Sequence, residues 1–495
     1  MKFIRINEKD DVAVALEDLN IGETVPIGSM SVALKENIKK GHKFAIKGKK
    51  AGEDVLKYGF SIGHASQDIE PGQWVHVHNL KTNLDRALEY RFNDTLTRLN
   101  PFVTKEGTFF GYQRKDGKVG IRNEIWIINT VGCINKFCDH LVQKVRNEID
   151  LEGTDGIYTF NHPFGCSQLS DDLKNTQKLL KGLVNHPNAA GVLVVGLGCE
   201  NNHLEEFKKV LGNYDKVRVK FVEAQESQDE EAESLEKIKE LITYARDFKR
   251  EEVPISALKI GLKCGGSDGF SGITANPLVG QISDEIVSFG GTSILTEVPE
   301  MFGAETIFMD RAENIEVFDK IVGLINDFKD YFIKQNQVVY ENPSPGNKEG
   351  GITTLEDKSL GCTQKGGSSI VRDVLSYGEE TVKKGLNLIE SPGNDLVSVS
   401  ALVAAGAHIV LFTTGRGTPF GGAVPTIKIA TNTNIYERKK NWFDFNAGIL
   451  AEGKPLEEVK KEFWDYILSI ANGVKTQNEI RGFKEIAIFK NGVTL

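Results

Sequence analysis

Short apolar runs broken by turns occupy about the first 90 residues of the chain. The runs are Phe3 to Ile6, Val32 to Leu34, Phe44 to Ile46 and Trp74 to Val77. Turn signals such as Gly41, Gly59 and Pro71-Gly72 separate them. Short alternating runs between glycines and prolines are typical of β-strands joined by tight turns. The pattern therefore predicts a small all-β module at the amino terminus.

Apolar strand-like runs alternate with helical patterns beyond Gly111. The runs are Ile125 to Val131, Ile157 to Phe160, Val192 to Val195, Leu258 to Leu262, Ser293 to Leu295 and Ile409 to Phe412. This alternation indicates βαβ units around a parallel sheet. Residues 226–252 are rich in charge and carry apolar residues at helical spacing, which predicts an amphipathic helix. Polar residues interrupt the apolar stretch 396–412, so we expect a buried helix followed by a strand there and no membrane span.

These patterns predict an α/β protein of three domains. We place the all-β module in residues 1–94, a linker in 95–110, a middle α/β domain in 111–252 and a C-terminal parallel-sheet domain in 253–495. The linker assignment depends on a polar stretch that contains Pro101 and has no sustained period. Residues 341–351 are rich in proline and glycine, so we expect a loop there.

Composition and charge exclude several classes of partner. The chain has 60 Lys and Arg against 69 Asp and Glu, a formal net charge of -9 and a pI near 5.7. Nucleic acids and anionic membranes attract basic proteins, so we expect neither as a partner. The first residues lack the continuous apolar segment of a secretion signal. Six cysteines in 495 residues are too few for a disulfide scaffold, which predicts reduced thiols and a cytoplasmic protein.

Five of the six cysteines are next to a glycine, and three of them follow strand-like runs directly. Those three are Cys133, Cys199 and Cys264. Ligands of open α/β sheets bind at the carboxyl ends of the strands, where glycine permits close approach. We therefore expect the glycine-flanked cysteines to converge around one sheet edge. Cys138 stands apart, and packing explains it best.

Two interpretations compete for Cys166, Cys199 and Cys264, which lie in glycine-rich polar turns. A single cysteine is often a small buried filler. Three thiolates together suit iron or zinc, and three would also leave one open corner on a [4Fe–4S] cluster. Their wide separation along the chain excludes a local zinc ribbon. We favour the metal-ligand interpretation for the set.

Histidines and one glycine-rich loop add further candidates. His76 and His78 would share one side of a strand, either as a metal pair or as inert surface residues. His42 lies in a turn and is a candidate proton carrier. Residues 415–422 form either a plain turn or an anion-binding loop in which Arg416 pairs with a carboxylate. The chain has no dinucleotide-binding fingerprint after a strand and no Walker A sequence, which disfavours nicotinamide and ATP enzymes.

Many ordered motifs resemble the altronate/galactarate dehydratase family along essentially the whole chain. They include Gly41-His42-Lys43, His76-Val77-His78-Asn79, the stretch 117–123, Asn161-His162 to Cys166, Gly196-Leu197-Gly198-Cys199-Glu200, Cys264-Gly265-Gly266-Ser267-Asp268, the stretches 270–277 and 342–348, and Thr413-Thr414-Gly415-Arg416-Gly417-Thr418-Pro419. The resemblance implies an N-terminal β-clip domain of the SAF type, a middle domain used in dimerisation and a C-terminal domain with a Rossmann-like parallel sheet.

The same resemblance implies a hydro-lyase that dehydrates a sugar acid to a 2-keto-3-deoxy acid. The expected cofactor is Fe2+, with Mn2+ or a labile iron–sulfur cluster as alternatives, and the expected assembly is a homodimer. The motifs at residues 76–79 and 360–367 resemble the altronate-specific members and favour altronate in hexuronate catabolism. Galactarate or a related sugar acid is the alternative substrate. A regulator that binds sugar acid or metal without catalysis is the competing class.

We assign roles to the site residues as a hypothesis. Metal ligands would come from Cys166, Cys199, Cys264, Cys362, His76 and His162. The catalytic acid and base would come from His42, His78 and Lys263. Substrate-binding groups would be Arg416, Lys365, Asn276 and Ser267.

Overall fold

The computed structural model describes residues 2–28, 30–84, 90–92 and 104–492. Most of the predicted linker, together with the end of the predicted N-terminal module, lies outside these ranges. Among the described residues, every helix is too short or too polar to cross a membrane.

Nine short strands build the N-terminal module. They are β1 (Phe3–Ile4), β2 (Val12–Ala15), β3 (Thr24–Ile27), β4 (Met30–Ala33), β5 (Lys43–Ala45), β6 (Asp54–Lys57), β7 (Phe60–Ala65), β8 (Trp74–Val75) and β9 (Leu80–Lys81). They form an antiparallel sheet in the order β1-β2-β5-β8, the hairpin β3-β4 and the sheet β6-β7-β9. β3 buries every second residue, as a strand with one solvated face should.

The middle region contains a small and a larger sheet. Its strands are β10 (Thr108–Gln113), β11 (Val119–Gly120), β12 (Glu124–Asn129), β13 (Ile157–Thr159), β14 (Ala189–Gly196), β15 (Val219–Glu223) and β16 (Arg250–Pro254). Its helices are α1 (Asn135–Glu148), α2 (Ser170–Val184), α3 (Leu204–Leu211) and α4 (Glu230–Ala245). The larger sheet is parallel in the order β13-β12-β14-β15, and β11-β10-β16 form the small antiparallel sheet.

Seven parallel strands form the centre of the C-terminal region. They are β17 (Lys259–Cys264), β18 (Thr292–Leu295), β19 (Val371–Leu375), β20 (Gly385–Ile389), β21 (Ile409–Thr414), β22 (Thr426–Ala430) and β23 (Phe445–Asn446). Their order is β19-β20-β18-β17-β21-β22-β23. β18, β20, β21 and β22 are buried along their whole length, because helices cover both faces of a parallel sheet.

Nine helices accompany this sheet in the described part of the chain. They are α5 (Ala275–Ser288), α6 (Thr306–Met309), α7 (Ile315–Lys334), α8 (Pro345–Glu349), α9 (Leu355–Cys362), α10 (Asp395–Ala404), α11 (Thr433–Arg438), α12 (Leu456–Ala471) and α13 (Gln477–Arg481). All eight residues of α9 are buried, although the helix carries two carboxylates and a lysine. Buried charges of this kind require partners.

The three regions share apolar cores. Leu360 of α9 and Ala304 pack into the core of the N-terminal module. A second core combines Trp126 and Leu179 of the middle region with Leu402 of α10. The N-terminal module and the middle region are therefore both anchored on the C-terminal region.

The structure confirms the predicted fold class and most predicted elements. The helix-then-strand prediction for residues 396–412 corresponds to α10 and β21, and the charged segment forms α4. Two local predictions are wrong. Residues 345–349 form the short helix α8, because Ser344 and Asn347 make a capping box and proline is favourable in a first helical turn. His76 and His78 lie in the turn between β8 and β9 and do not share a strand face.

Two buried histidines lie where the middle and C-terminal regions meet. The rings of His186 and His408 are 6.1 Å apart, and His186 stacks on Trp126. Nδ1 of His408 accepts the backbone N–H of Lys259 at 3.0 Å. Burial lowers the pKa of His408 to about 3 and lowers the pKa of His186 well below its usual value. Both histidines are therefore neutral in the folded protein.

We expect acid to destabilise this junction. Below pH 6.5 the two histidines are protonated in the unfolded chain but stay neutral in the folded protein. Their contribution to the free energy of unfolding is therefore fully present above pH 6.5 and is lost as the pH falls. Each histidine should lower the free energy of unfolding by about 1.4 kcal/mol per pH unit in this range. Urea unfolding of the His408→Gln variant at pH 7.5 and 5.5 should show a smaller acid loss than that of the unmodified chain. Equal losses would contradict neutral burial of His408.

Candidate active site

The candidate site lies at the carboxyl edge of the seven-stranded sheet. The chain passes from β17 to β18 on one side and later adds β21 on the other, so that β17 and β21 form a topological switch point. Open α/β sheets bind ligands in the crevice at such a point. Lys263 and Cys264 end β17, and Thr414 ends β21. The topology of the sheet therefore predicts a ligand site in this crevice.

Two thiols and one carboxylate meet in the crevice. Sγ of Cys264 is 3.3 Å from Sγ of Cys362, and Oε2 of Glu300 is 3.3 Å and 3.2 Å from these two sulfurs. Among the described residues, these three form the one group whose potential metal-ligand atoms all lie within 4.8 Å of one another. All three side chains are buried.

Three lysines balance the acidic groups of this cluster. Nζ of Lys365 is 2.8 Å from Sγ of Cys264 and 3.1 Å from Oε2 of Glu297. Nζ of Lys358 is 2.8 Å from Oε1 of Glu300. Lys263 pairs with Glu297 and, at 3.1 Å, with Asp395. Each buried carboxylate of this cluster therefore has a lysine partner, as buried charges require.

The charges fix the protonation states of the cluster. Burial alone would lower the pKa of Lys263, but Glu297, Asp395 and Glu300 outweigh it and raise that pKa. Burial also opposes ionisation of Glu300, but Lys358, Lys263 and Lys365 hold its pKa well below the usual range. Lys263 is therefore a permanent cation that neutralises the cluster. It does not suit the role of general base that the sequence suggests for it, since a base must be unprotonated.

The thiol of Cys362 has a higher pKa than an exposed cysteine. Its hydrogen bond to Cys264, followed by burial, raises the pKa of Cys362 well above the usual value. Cys362 is thus a thiol at neutral pH when nothing else binds there, and it donates to Glu300. A metal ion that binds this sulfur must displace its proton.

The N-terminal module closes one side of the crevice through a buried ion triad. Asp357 of α9 accepts hydrogen bonds at 2.9 Å from Lys43 and Lys57, and all three side chains are buried. Burial lowers the pKa of Lys43 to about 8, with Lys57 contributing and Asp357 opposing. The triad ties β5 and β6 to the helix that also carries Cys362.

A small cavity lies between the N-terminal module and the C-terminal region. Its volume of about 10 Å³ has room for roughly one water molecule. Ser267, Asp268, Lys358 and Cys362 line it together with Lys57, Tyr58 and other residues. The hydroxyl of Ser267 is buried and has no hydrogen-bond partner. A buried polar group without a partner is costly, so this hydroxyl points to a polar ligand.

Asn276 also lines the cavity, and each of its amide atoms has a protein partner. Its Nδ2 donates to the carbonyl of Gly361 at 3.0 Å, and its Oδ1 accepts from Thr413 at 2.6 Å. Both atoms therefore hold the end of α9 against β21. The second N–H of Nδ2 has no protein acceptor among the described residues, so Asn276 both positions α9 and keeps one donor for a substrate.

An open cleft of about 720 Å³ adjoins the small cavity that Ser267, Asp268 and Cys362 line. Four cationic side chains line it: Lys40, Arg416, Arg438 and Lys439. Asp268 lines both the cleft and the cavity, and burial raises its pKa. Arg416 is half exposed and pairs with Glu349 at 3.0 Å. The cleft is suited to an anion that reaches inward toward Asp268.

Three histidines of the N-terminal module, His42, His76 and His78, surround Trp74. Nε1 of Trp74 donates to Nδ1 of His42 at 3.2 Å, so Nε2 of His42 carries the proton and donates to the carbonyl of Glu349 at 3.1 Å. Burial lowers the pKa of His42 and lowers that of His76 to about 3. The ring of His76 is 4.9 Å from that of Trp74, and the exposed His78 ring is 5.2 Å from it. His42 directly follows Lys40 and Gly41, which line the cleft, and none of the three histidines belongs to the close group of Cys264, Glu300 and Cys362.

The expected convergence of all glycine-flanked cysteines at one edge is wrong. The chain forms two separate parallel sheets, and Cys133, Cys166 and Cys199 belong to the four-stranded one. His162 lies beneath the loop of Cys166, where one ring nitrogen contacts Asn129 and the other accepts the N–H of Phe164. Neither nitrogen is left for a metal ion. Cys138 packs in the core between α1 and the sheet, as predicted.

Sequence reasoning missed four acidic or basic residues of the site. Glu297, Glu300, Asp357 and Lys358 lie in turns and a short helix that have no recognisable motif. Glu297 adopts a left-handed backbone with φ 73°, which is uncommon for glutamate. Charged residues within an apolar stretch could have indicated these site residues, as in Glu297-Val298-Pro299-Glu300-Met301-Phe302.

Three family models match the chain in succession. Residues 1–83 match the altronate/galactarate dehydratase SAF domain. Residues 111–246 match the second domain of D-galactarate dehydratase/altronate hydrolase. Residues 255–494 match the C-terminal domain of D-galactarate/altronate dehydratase.

Full-length relatives point the same way. The chain is 55% identical to the altronate dehydratase of Bacillus subtilis (strain 168) over 495 residues, which cover 100% of this chain and 99% of the relative. It is 51% identical to the altronate dehydratase of Escherichia coli (strain K12), with 100% of both chains covered. It is 33% identical to the L-threo-forming galactarate dehydratase of Escherichia coli (strain K12), which covers 96% of this chain and 93% of that one.

Proposed function

The chain belongs to the altronate/galactarate dehydratase family, and on that premise we propose that it is a hydro-lyase that converts D-altronate to 2-dehydro-3-deoxy-D-gluconate in hexuronate catabolism. Altronate is favoured over galactarate because the two altronate dehydratases are 55% and 51% identical to this chain, against 33% for the galactarate enzyme. The observation that carries the proposal is the buried group of Cys264, Glu300 and Cys362 beside a cationic cleft. The identity to two altronate dehydratases over the full length of the chain favours catalysis over a regulator that only binds sugar acid or metal.

We propose that Cys264, Cys362 and Glu300 hold the metal cofactor. Two soft sulfur donors and one carboxylate suit Fe2+ better than Mn2+, which prefers oxygen ligands. Their mutual distances of 3.2–3.3 Å let all three contact one ion after small rotations. Bound there, divalent iron supplies Lewis acidity toward an oxygen of the substrate.

The charged residues of the cleft orient the sugar acid, with its carboxylate at the mouth and its C3 hydroxyl inside. Arg416 at the mouth pairs with the carboxylate of the sugar acid in place of Glu349. The C3 hydroxyl then faces inward toward Lys358 and Cys362, which line the cavity behind Asp268. Lys263 and Lys365 keep this interior electrically neutral when the thiols lose their protons.

Asp268 is the proposed general base. It lies where the cleft and the cavity meet, and burial raises its pKa, which strengthens it as a base. It removes the proton from C2, the C3 hydroxyl takes a proton from the ammonium group of Lys358 and leaves as water, and a C2–C3 double bond forms. The enol then becomes the 2-keto acid when its hydroxyl proton returns to Lys358 and Asp268 gives its proton to C3. Replacement of Asp268 with asparagine should lower kcat by a factor of roughly 10² to 10⁴.

A substrate panel tests the proposed activity. The anaerobically iron-loaded protein should form a 2-keto acid from altronate with a kcat/KM at least about tenfold above that for galactarate, a difference of about 1.4 kcal/mol. Sulfolactate is the third substrate of the panel. Turnover of galactarate alone would move the assignment to the other branch of the family. Absence of a 2-keto product from every substrate would refute the dehydratase proposal.

We also propose a cytoplasmic homodimer. The resemblance to the family supports the dimer, which light scattering of the purified chain can test. All six cysteines are free, which suits a reducing compartment. A monomeric mass at micromolar concentration would refute the dimer.

A further inference from the structure

Three exposed cysteines lie at the carboxyl edge of the four-stranded sheet, apart from the candidate active site. Cys133 follows β12, Cys166 follows β13 and Cys199 follows β14. These strands are neighbours in the order β13-β12-β14, and the chain switches direction between β12 and β14. The middle region therefore has its own topological switch point, and cysteines stand on both sides of it.

Backbone contacts hold the three cysteine loops together. The N–H of Gly132 donates to the carbonyl of Phe164 at 2.8 Å, which joins the Cys133 loop to the Cys166 loop. The N–H of Asn202 donates to the carbonyl of Gly165 at 3.0 Å, and Asn201 accepts the N–H of Ser167 at 2.8 Å. The Cys166 loop thus contacts both of the other loops.

Close approach explains why a glycine precedes each of these cysteines. A Cβ on Gly132 would lie 2.6 Å from the carbonyl oxygen of His162, and one on Gly165 would lie 2.0 Å from that of Thr130. Gly198 has φ 130° and faces Gln225. Side chains at these positions would separate the loops. The glycine before each cysteine therefore allows the three cysteine loops to pack against one another at one edge of the sheet.

The three cysteines are accessible from solvent. Cysteine is among the most buried residue types, yet Cys133, Cys166 and Cys199 are all exposed, in contrast to Cys138. The helices α1, α2 and α3 begin shortly after the three cysteines. The side-chain amide of Gln225 donates to Sγ of Cys199 at 3.6 Å.

The distances between the sulfur atoms distinguish an iron–sulfur cluster from a single metal ion as the ligand of these cysteines. One tetrahedral zinc with bonds of about 2.3 Å requires sulfurs about 3.8 Å apart. Among the described residues, the three sulfurs are not a group whose members all lie within 4.8 Å. A cubane cluster binds one thiolate at each of several irons and so accommodates wider spacing.

We propose that Cys133, Cys166 and Cys199 bind a [4Fe–4S] cluster whose fourth iron is open to solvent. Each sulfur loses its proton to water and forms one bond to iron, and no electron is transferred because the cluster enters preformed. The site is distinct from the buried group of Cys264, Glu300 and Cys362, which lies at the edge of the seven-stranded sheet. The proposal does not depend on the substrate of the active site.

Acid-labile sulfide is the decisive readout, since a mononuclear iron at the buried site brings none. The full chain, purified anaerobically, should contain about four sulfides per chain and absorb visible light in a band that dithionite bleaches. Serine at position 133, 166 or 199 (C133S, C166S, C199S) should each lower the sulfide content at least about tenfold. Cys138→Ala is the matched control and should retain it, because Cys138 is buried in the core.

A second measurement works on the unmodified chain and does not depend on how the variants fold. Iodoacetamide should label Cys133, Cys166 and Cys199 only after a chelator has removed the cluster. Iron or zinc without sulfide, or sulfide that survives all three serine variants, would overturn the proposal. Equal alkylation before and after chelation would do the same.

Discussion

The Cys362→Ser variant is expected to lose altronate dehydration by about a thousandfold or more, which corresponds to roughly 4 kcal/mol of barrier. The substitution keeps the size of the side chain but removes the sulfur that lies 3.3 Å from Cys264 and 3.2 Å from Glu300. Iron content at the buried site should fall in parallel, because serine is a poor ligand for Fe2+. Stopped assays of 2-keto acid measure turnover, and analysis of iron and acid-labile sulfide in the same sample measures the iron in excess of sulfide, which is the iron of the buried site.

Cys138→Ala provides the control for that experiment. Cys138 is also a buried thiol, but it packs in the apolar core between α1 and the four-stranded sheet and does not belong to the group of Cys264, Glu300 and Cys362. Its replacement should leave turnover within about twofold of the unmodified chain. A Cys362→Ser protein that keeps both its iron and its turnover would show that the metal binds elsewhere.

The Asp357→Asn variant should show the second large effect, a loss of about 3–5 kcal/mol of stability together with most of the activity. Asp357 neutralises Lys43 and Lys57, and it also accepts the N–H and the hydroxyl of Thr353 at 3.1 Å. Without its charge, two buried ammonium groups remain unpaired between the N-terminal module and α9. The module should then detach from the site, and limited proteolysis should release it at lower temperature.

A surface pair supplies the matched control for Asp357. Lys50 and Asp68 lie 2.8 Å apart in the same module, but both side chains are more than half exposed. Exposed ion pairs contribute little, so Asp68→Asn should change stability by no more than about 1 kcal/mol. If the Asp357→Asn and Asp68→Asn proteins unfold at the same urea concentration, the buried triad does not dock the module.

The sequence pattern predicted the regular elements well because their periodicity is local. β12, β14, β17 and β21 each contain a run of buried apolar residues, as is typical of strands covered on both faces. The short helix α8 escaped prediction because its Pro345 and Gly346 are typical of turns, whereas the capping box that forms it needs Ser344 and Asn347 in three dimensions.

The site was only partly predictable for the same physical reason. Glycine–cysteine pairs mark strand ends, but strand pairing alone decides which sheet each strand joins. Cys264 and Cys199 have similar sequence surroundings and lie in different sheets. Glu300 reaches Cys264 only through the turn after β18, a contact 36 positions apart in the chain. Long-range contacts of this kind leave no period in the sequence.

The central claim is that the buried group of Cys264, Glu300 and Cys362 is the metal centre of the dehydratase. Anomalous diffraction at the iron absorption edge, on crystals of the anaerobically iron-loaded chain, tests it most directly. The account predicts an iron peak within bonding distance of the two sulfurs and the Glu300 carboxylate, and loss of that peak in Cys362→Ser crystals. Iron density confined to the N-terminal histidines or to the cysteines of the middle region, with none between Cys264 and Cys362, would contradict it.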